Sequence, residues 1–504
     1  MNQDQGWLAS IYILIMKSGH AAKVLWSRQN SLSQKYHKSQ NLVKLGAFLS
    51  RLQLLMKHIY FYLLTGLIFI SCADDRDDYD VAQSALDLRL EELLEQAAGG
   101  QGKEFFILPE SDDYASIPQD PLNPLTASKV ELGMFLLHET AMGGSPKMIQ
   151  MQGTYSCASC HPVASSFYSG RRQGIGECGT GFGSVGESRQ LNLNVPLDSI
   201  DIQPIRVPTL LNVAYQDVAL WNGMLGGTGT NIGTESQWTA AGVPENNLGF
   251  QGLEIQGIVG QQTHRLKVDE DFVNNNGYRQ LFDQAFPALA PSDRYTTQSA
   301  ALAIAAFNRT LLSNDAPWQA YLKGDYRALT DQEKRGAIVF AGKGECINCH
   351  TGPALKDQDF HAFGFGHFDD SQDAVVLDDG GFDAVRRGRG GFTGNSADDY
   401  KFKTPTLYNL RDAAFYGHGG TFNSIAEVVR YKNANDLQDP AARANLASEM
   451  GNINLTFQEM EDLTQFLEFA LYDSTLDRYV PESVKSGNCF PNADVQSRLD
   501  LGCN

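Results

Sequence analysis

The sequence predicts a mainly α-helical protein in which one small helical plan is used twice, joined by long Gly-rich loops. Three observations predict it. The pattern Cys-x-x-Cys-His occurs at Cys157–His161 and again at Cys346–His350, 189 residues apart. A segment with helical apolar spacing precedes each copy. Gly, Ser and Asn dominate long stretches, notably 169–187 and 222–250, and loops of that length are uncommon unless they are functional or disordered.

With 504 residues, 42% hydrophobic and 20% charged, the chain is long enough for two or three domains with proper cores. Residues 1–55 are basic, with Asp4 their only acid. Met56-Lys57-His58 then leads into the apolar run Ile59–Ile70 and Ser71-Cys72. A short basic start, an apolar core and a small residue before cysteine describe a bacterial lipoprotein signal. The run is shorter than the ~20 apolar residues of a membrane-spanning helix. The reading is therefore a start at Met56, a leader over 1–71, a lipid anchor at Cys72 and a periplasmic, membrane-tethered protein of a Gram-negative bacterium. Phe69 departs from the Leu more usual in such signals, which leaves ordinary secretion or a retained anchor as alternatives. Without residues 1–71, 32 basic and 58 acidic residues remain, a net charge of −26. Such a surface excludes nucleic acid and suits a small basic electron carrier, although solubility alone would also account for it.

An acidic tether over 73–80 precedes a helix over 82–97, where Leu86, Leu90, Leu93, Leu94 and Ala97 recur at helical spacing up to Gly99-Gly100. A proline-punctuated linker runs from Pro109 to Pro124. Ser128, with Glu131 three residues on, predicts a capping box and a helix burying Val130, Leu132, Phe135 and Leu136. The pattern returns at 297–313 through Ala301, Leu302, Ala305, Phe307 and Leu311. Thr330 and Glu333 start the helix that carries Gly336, Val339 and Phe340 into the second motif. Residues 456–472 form an amphipathic helix on Met460, Leu463, Phe466, Leu467 and Leu471. Outside the cytoplasm Cys489 and Cys503 are expected to pair, closing a tail over 481–504. The resulting division is a tether and N-terminal helix (72–119), a first domain (120–295), a second (296–480) and the tail.

Two cysteines three apart with histidine next are the attachment signature of c-type haem. Each thiol forms a thioether to a porphyrin vinyl group, and the adjacent imidazole binds iron. Zinc ribbons pair such units ~15–20 residues apart, and a thioredoxin-like dithiol needs a βαβ setting; neither context is present. Two covalently bound haems c are predicted, held by Cys157, Cys160 and His161 and by Cys346, Cys349 and His350, in two cytochrome c-like domains.

Several stretches carry a further resemblance: Lys129-Val130-Glu131-Leu132-Gly133, Pro208-Thr209-Leu210-Leu211-Asn212, Leu220-Trp221-Asn222-Gly223, Gly252-Leu253-Glu254-Ile255-Gln256, Ala306-Phe307-Asn308-Arg309-Thr310-Leu311, Lys403-Thr404-Pro405-Thr406-Leu407 and Tyr416-Gly417-His418-Gly419-Gly420. With both haem motifs and Glu427-Val428-Val429, the sequence resembles the bacterial dihaem cytochrome c peroxidase family, MauG-type enzymes included, from about residue 120 to 475. The resemblance implies a peroxidase: the second haem takes electrons from a small cytochrome or cupredoxin, and the first meets hydrogen peroxide. A MauG-type oxidase acting on an organic or protein substrate, and a non-catalytic electron-transfer protein, are the alternatives; a homodimer is an allowed assembly.

Trp221 matches the family's tryptophan between the haems, and a core aromatic is the bland reading. Gln256 matches the distal glutamine. The family's peroxidatic glutamate is absent, and Thr263-His264-Arg265-Leu266 stands there instead. Peroxide cleavage needs a base to move a proton and a polar group for separating charge; His264, assisted by Arg265, is the candidate base, with Glu254 the other. No histidine lies between His161 and Trp221, so the activation histidine of some members is missing. The first iron is expected to be open to peroxide, unless His264 fills its sixth position. For the second haem, the family's Met or Tyr ligand aligns with Lys432; Tyr431 and Met450 are the neighbouring candidates. His361, His367 and His418 are expected near this haem. The calcium that the family often holds loses one position to Arg206 and another to Ala413, leaving the acidic 378–400 segment (Asp378, Asp379, Asp398, Asp399) as an alternative cation site.

Overall fold

Among the described residues of the computed structural model, eight helices of seven residues or more set the frame: α1 (Ala85–Ala97), α2 (Ala127–His138), α3 (Gly252–Thr263), α4 (Arg279–Ala285), α5 (Thr297–Arg309), α6 (Asp331–Ala341), α7 (Ile425–Ala434) and α8 (Phe457–Gln465). The structure describes residues 83–370, 382–434, 436–451 and 453–503. The leader, Cys72, the tether, and Asp378 and Asp379 lie outside them. The chain divides after Val81, and all eight helices belong to the unit beyond it.

Local chemistry starts most of these helices where the side chains say it should. Ser84, Thr330 and Thr456 each accept from the third backbone N–H, while Asp87, Glu333 and Glu459 reach back to the cap, satisfying two otherwise orphaned donors at each end. At α2 the cap is Thr126, which accepts from Lys129 N at 3.3 Å, rather than Ser128. Leu125 is buried and fixes the chain's entry before Ser128 is reached, so Ser128 falls within the first turn. The helix accordingly buries Leu132, Gly133, Leu136 and Leu137, with Val130 and Phe135 only partly covered. The last amphipathic segment widens from α8 into a π-turn over Phe466–Ala470.

Each haem motif follows a helix that crosses a partner through a glycine. α2 and α5 meet at Gly133, where an added Cβ would lie 2.0 Å from Ala303 O. α6 and α8 meet at Gly336, where it would lie 2.0 Å from Asp462 O. One apolar cluster gathers α2, α4 and α5 around Leu136, Phe282 and Phe307. A larger one gathers α1, α6, α7 and α8 around Leu94, Phe340, Val429 and Phe466. α5, read from sequence as the head of the second domain, packs on α2 and α3, so a boundary at 295/296 would cut through packed helices.

The Gly-rich loops are held by buried amides. Asn231 Nδ2 donates to Gly223 O and Gly226 O, both at 2.9 Å, and Asn246 joins Gly226 N to Met224 O. Two short antiparallel ladders, β1 (Gly179–Thr180) with β2 (Gln190–Leu191) and β3 (Phe360–His361) with β4 (Phe402–Lys403), complete the frame. Cys489 and Cys503 are joined, and their loop lies over the first motif: Ser156 Oγ and Ser159 Oγ both donate to Pro491 O.

Candidate haem pockets and active site

In both motifs the first cysteine opens a single 3-10 turn, Cys157–Ser159 and Cys346–Asn348. The histidine N–H closes it on the first cysteine's carbonyl, at 3.2 Å for His161 and 2.9 Å for His350. The chain then turns through a left-handed residue, Phe167 or Leu355, whose carbonyl lies 3.0 Å from the ring Nδ1 of His161 or His350 respectively. A carbonyl can only accept, so Nδ1 carries the proton and Nε2 keeps its lone pair for a metal. Burial pushes both imidazoles down to about 4, so they stay neutral, the ligating form.

The thiols tell against the other readings. Burial pushes Cys157 and Cys160 up to about 12 and Cys346 up to about 11, whereas redox dithiols need a lowered value. Neither pair forms a disulfide. Among the described residues, the one group of three with metal-ligand spacing is Cys349, Asp357 and His361, so the two motifs do not share a zinc site.

An apolar cavity adjoins the second motif, walled by Cys346, Cys349, His350, Phe363, Phe365 and Leu467 among others. Cations stand at its edge. Arg206 is buried and lines it, with Nε donating to Gly417 O at 2.8 Å. Lys403 Nζ and Lys356 Nζ both donate to Gln216 Oε1 at 2.6 Å. Burial, then the neighbouring Lys403 ammonium, holds Lys356 well below the usual lysine value, and burial lowers Lys403 to about 8. The buried Arg206 guanidinium and a buried lysine pair sharing one neutral acceptor fit a site for an anionic group, and haem brings two propionates. Thiols, neutral imidazole, apolar walls and cations thus match what haem c requires.

The first motif has a polar group beside it. His264, the cap residue after α3, donates from Nδ1 to Asp201 Oδ2 at 2.7 Å. Its charge is felt at His161, which puts the two imidazoles in one neighbourhood. Burial pulls His264 down, but the Asp201 carboxylate more than offsets this, and the net shift is upward. Gln256 Oε1 is buried without a hydrogen-bond partner among the described residues. Gly260 keeps space between the two: a Cβ there would sit 3.2 Å from Gln256 Nε2 and 4.0 Å from His264 Cδ2.

The other sequence candidates have separate engagements. Glu254 is fully buried and paired with Arg309, Oε2 to Nη2 at 2.8 Å, and Oε1 takes Asn123 Nδ2 at 3.2 Å. With both oxygens bonded, it ties α3 to α5. Arg265 is paired with the buried Glu177. Sequence reasoning does not single out Asp201, which is 63 residues from His264; its flanking isoleucines are the sole hint of burial. Trp221 is buried and borders the second cavity. Its Nε1 donates to Arg206 O at 2.7 Å. The next residue, Val207, lies close to Cys160: both crowd the same side of Gly174. Trp221 is therefore joined, one residue removed, to the wall of the first motif.

Tyr431 donates its hydroxyl toward Phe363 O and Gly364 O, at 2.8 and 2.6 Å. Tyr431 and Met450 are buried but are not among the residues lining the cavity, whereas Lys432 is. His361, His367 and His418 all line it. His361 pairs with Asp357; His367 bridges Asp439 at 2.8 Å and His418 at 3.2 Å; and His418 stacks on Phe402. Asp398 and Asp399 are taken by Thr393 and Arg387 respectively.

A mainly helical chain with two such attachment sites and unlike surroundings is a dihaem c-type redox protein. Residues 127–327 match the family described as Di-haem cytochrome c peroxidase, a family of oxidoreductases. The chain is 29% identical over 356 residues to methylamine utilization protein MauG of Methylorubrum extorquens, covering 70% of this chain and 81% of that one. It is 26% identical over 389 residues to cytochrome-c peroxidase IdrP1 of Denitromonas iodatirespirans, covering 74% and 88%. A solved structure of a MauG-like protein associated with microbial copper homeostasis is 25% identical, covers 73% of this chain and 95% of that chain, and has a TM-score of 0.48.

Proposed function

We propose that this protein is a dihaem peroxidase that reduces hydrogen peroxide with electrons from a small cytochrome or cupredoxin. The observation that carries this reading is the His264–Asp201 dyad beside Gln256 in the neighbourhood of His161. Bound haem c supplies the redox iron at which a peroxide O–O bond opens. His264 Nε2 takes the proton from one peroxide oxygen and returns it to the other, while Asp201 fixes the tautomer and steadies the imidazolium. The Gln256 amide, with one atom already unpartnered, is available to a polar substrate. Electrons enter at the His350 side and pass Trp221, whose indole hydrogen bond ends one residue from the Cys160 wall.

The acidic surface favours a basic donor, and the Cys72 signal supports a periplasmic, lipid-tethered location. Among the described residues no helix is long and apolar enough to cross a membrane. Stopped-flow mixing of the dihaem protein with peroxide and a reduced cytochrome tests the reading. Donor oxidation should track peroxide stoichiometrically; none above background would overturn it.

One observation favours a MauG-type oxidase instead: Met450, the thioether candidate, is not among the residues lining the second cavity. A sulfur-to-iron charge-transfer band from the second haem would count heavily against that second reading.

A further inference from the structure

We infer that Lys432 supplies the sixth ligand of the second haem. His350 offers Nε2 from one side of the cavity, so the opposite axial position needs a donor whose lone pair is not already committed. His361 and His367 each give one ring nitrogen to a carboxylate and His418 gives one to His367, Lys403 bonds Gln216, and the Tyr431 hydroxyl is tied to two backbone carbonyls. Lys432 is different. It lines the cavity, and its Nζ has no hydrogen bond or ion pair among the described residues; its neighbour is the face of Phe363, 3.3 Å from amine to ring centroid.

Position and environment agree with that role. Lys432 lies in the last turn of α7, and the bonds of adjacent Tyr431 pin that turn against residues 363–364. Its charge is felt at His350 and at Cys346, the residues that anchor the haem. A ligating lysine must be neutral: the ammonium gives up one proton and the freed nitrogen pair forms the Fe–N bond. A saturated amine opposite imidazole makes a low-spin, six-coordinate iron. Lacking a thioether's stabilisation of the reduced metal, it sets a lower potential than methionine would.

The inference rests on there being two haems, not on peroxide as substrate, so its test needs no turnover. The measurement is low-temperature EPR with near-infrared magnetic circular dichroism on the resting dihaem protein, its K432A, K432M, Y431F and M450L variants, and haem counted by pyridine haemochrome. In the wild type the second haem should show a nitrogen–nitrogen low-spin signature. K432A should convert that signal to high spin with two haems still bound. K432M should replace it with a thioether band and a raised midpoint potential. Y431F and M450L should leave it unchanged. A thioether, phenolate or high-spin signature in the wild type overturns the inference without any variant, as does an unaltered low-spin signal in K432A. If K432A loses haem, K432M decides: an unaltered nitrogen–nitrogen signature there overturns the inference.

Discussion

At the residue scale, protonation of His264 governs the proposed chemistry. A base must be neutral to accept the peroxide proton, and Asp201 raises the imidazole above its ordinary ~6.5. Peroxidatic kcat/KM should therefore climb with pH through an apparent value above 6.5 and be lost as the solution is acidified. Asp201→Asn removes the charge that holds the value up, so the acid limb should move to lower pH while tautomer control weakens. His264→Ala should cost about 10²-fold or more, the usual worth of a positioned base. Trp221→Phe should lower kcat with little change in KM for peroxide, because it alters electron delivery rather than substrate contacts. The attachment residues are legible in the sequence because five contiguous positions carry their whole chemistry. Asp201, Arg206 and the Gln216 lysine pair are not, since their meaning comes from neighbours across chain separations of 15 to 187 residues.

At the element scale, helix ends that rely on a residue three positions away can be read directly, as at Thr330 and Thr456. The start of α2 cannot, because Leu125 burial, a tertiary fact, outranks the Ser128–Glu131 pattern. The two glycine crossings are likewise invisible as crossings, although both glycines sit in stretches the sequence marks out. Gly336→Ala forces a methyl group toward Asp462 O and should destabilise the fold by about 1–3 kcal/mol, read as a lowered urea midpoint at unchanged slope. Glu254→Ala strands Arg309, fully buried with its partner, and should cost about 3–5 kcal/mol. If Glu254 were instead an accessible base, the same variant would lose activity at near-normal stability.

At the scale of the whole molecule, the repeated motif conceals an asymmetry. The first site adjoins a charged dyad and an amide oxygen, Gln256 Oε1, with no hydrogen-bond partner among the described residues, and the disulfide-closed tail lies over its attachment turn. The second adjoins an apolar cavity with Arg206 and Lys403 in its wall and, in Lys432, an amine without a hydrogen bond or ion pair among the described residues. Replacing Cys489 and Cys503 by serine should cost about 3 kcal/mol, the worth of a loop this size, and loosen the first site before the second. Because both motifs read alike in sequence, this difference has to come from what folds against them. Low-temperature EPR of the as-isolated ferric protein tests it most directly. The account predicts one high-spin signal, from the first haem awaiting peroxide, and one low-spin signal from the six-coordinate second. Two low-spin signals, with neither iron open to substrate, would contradict it.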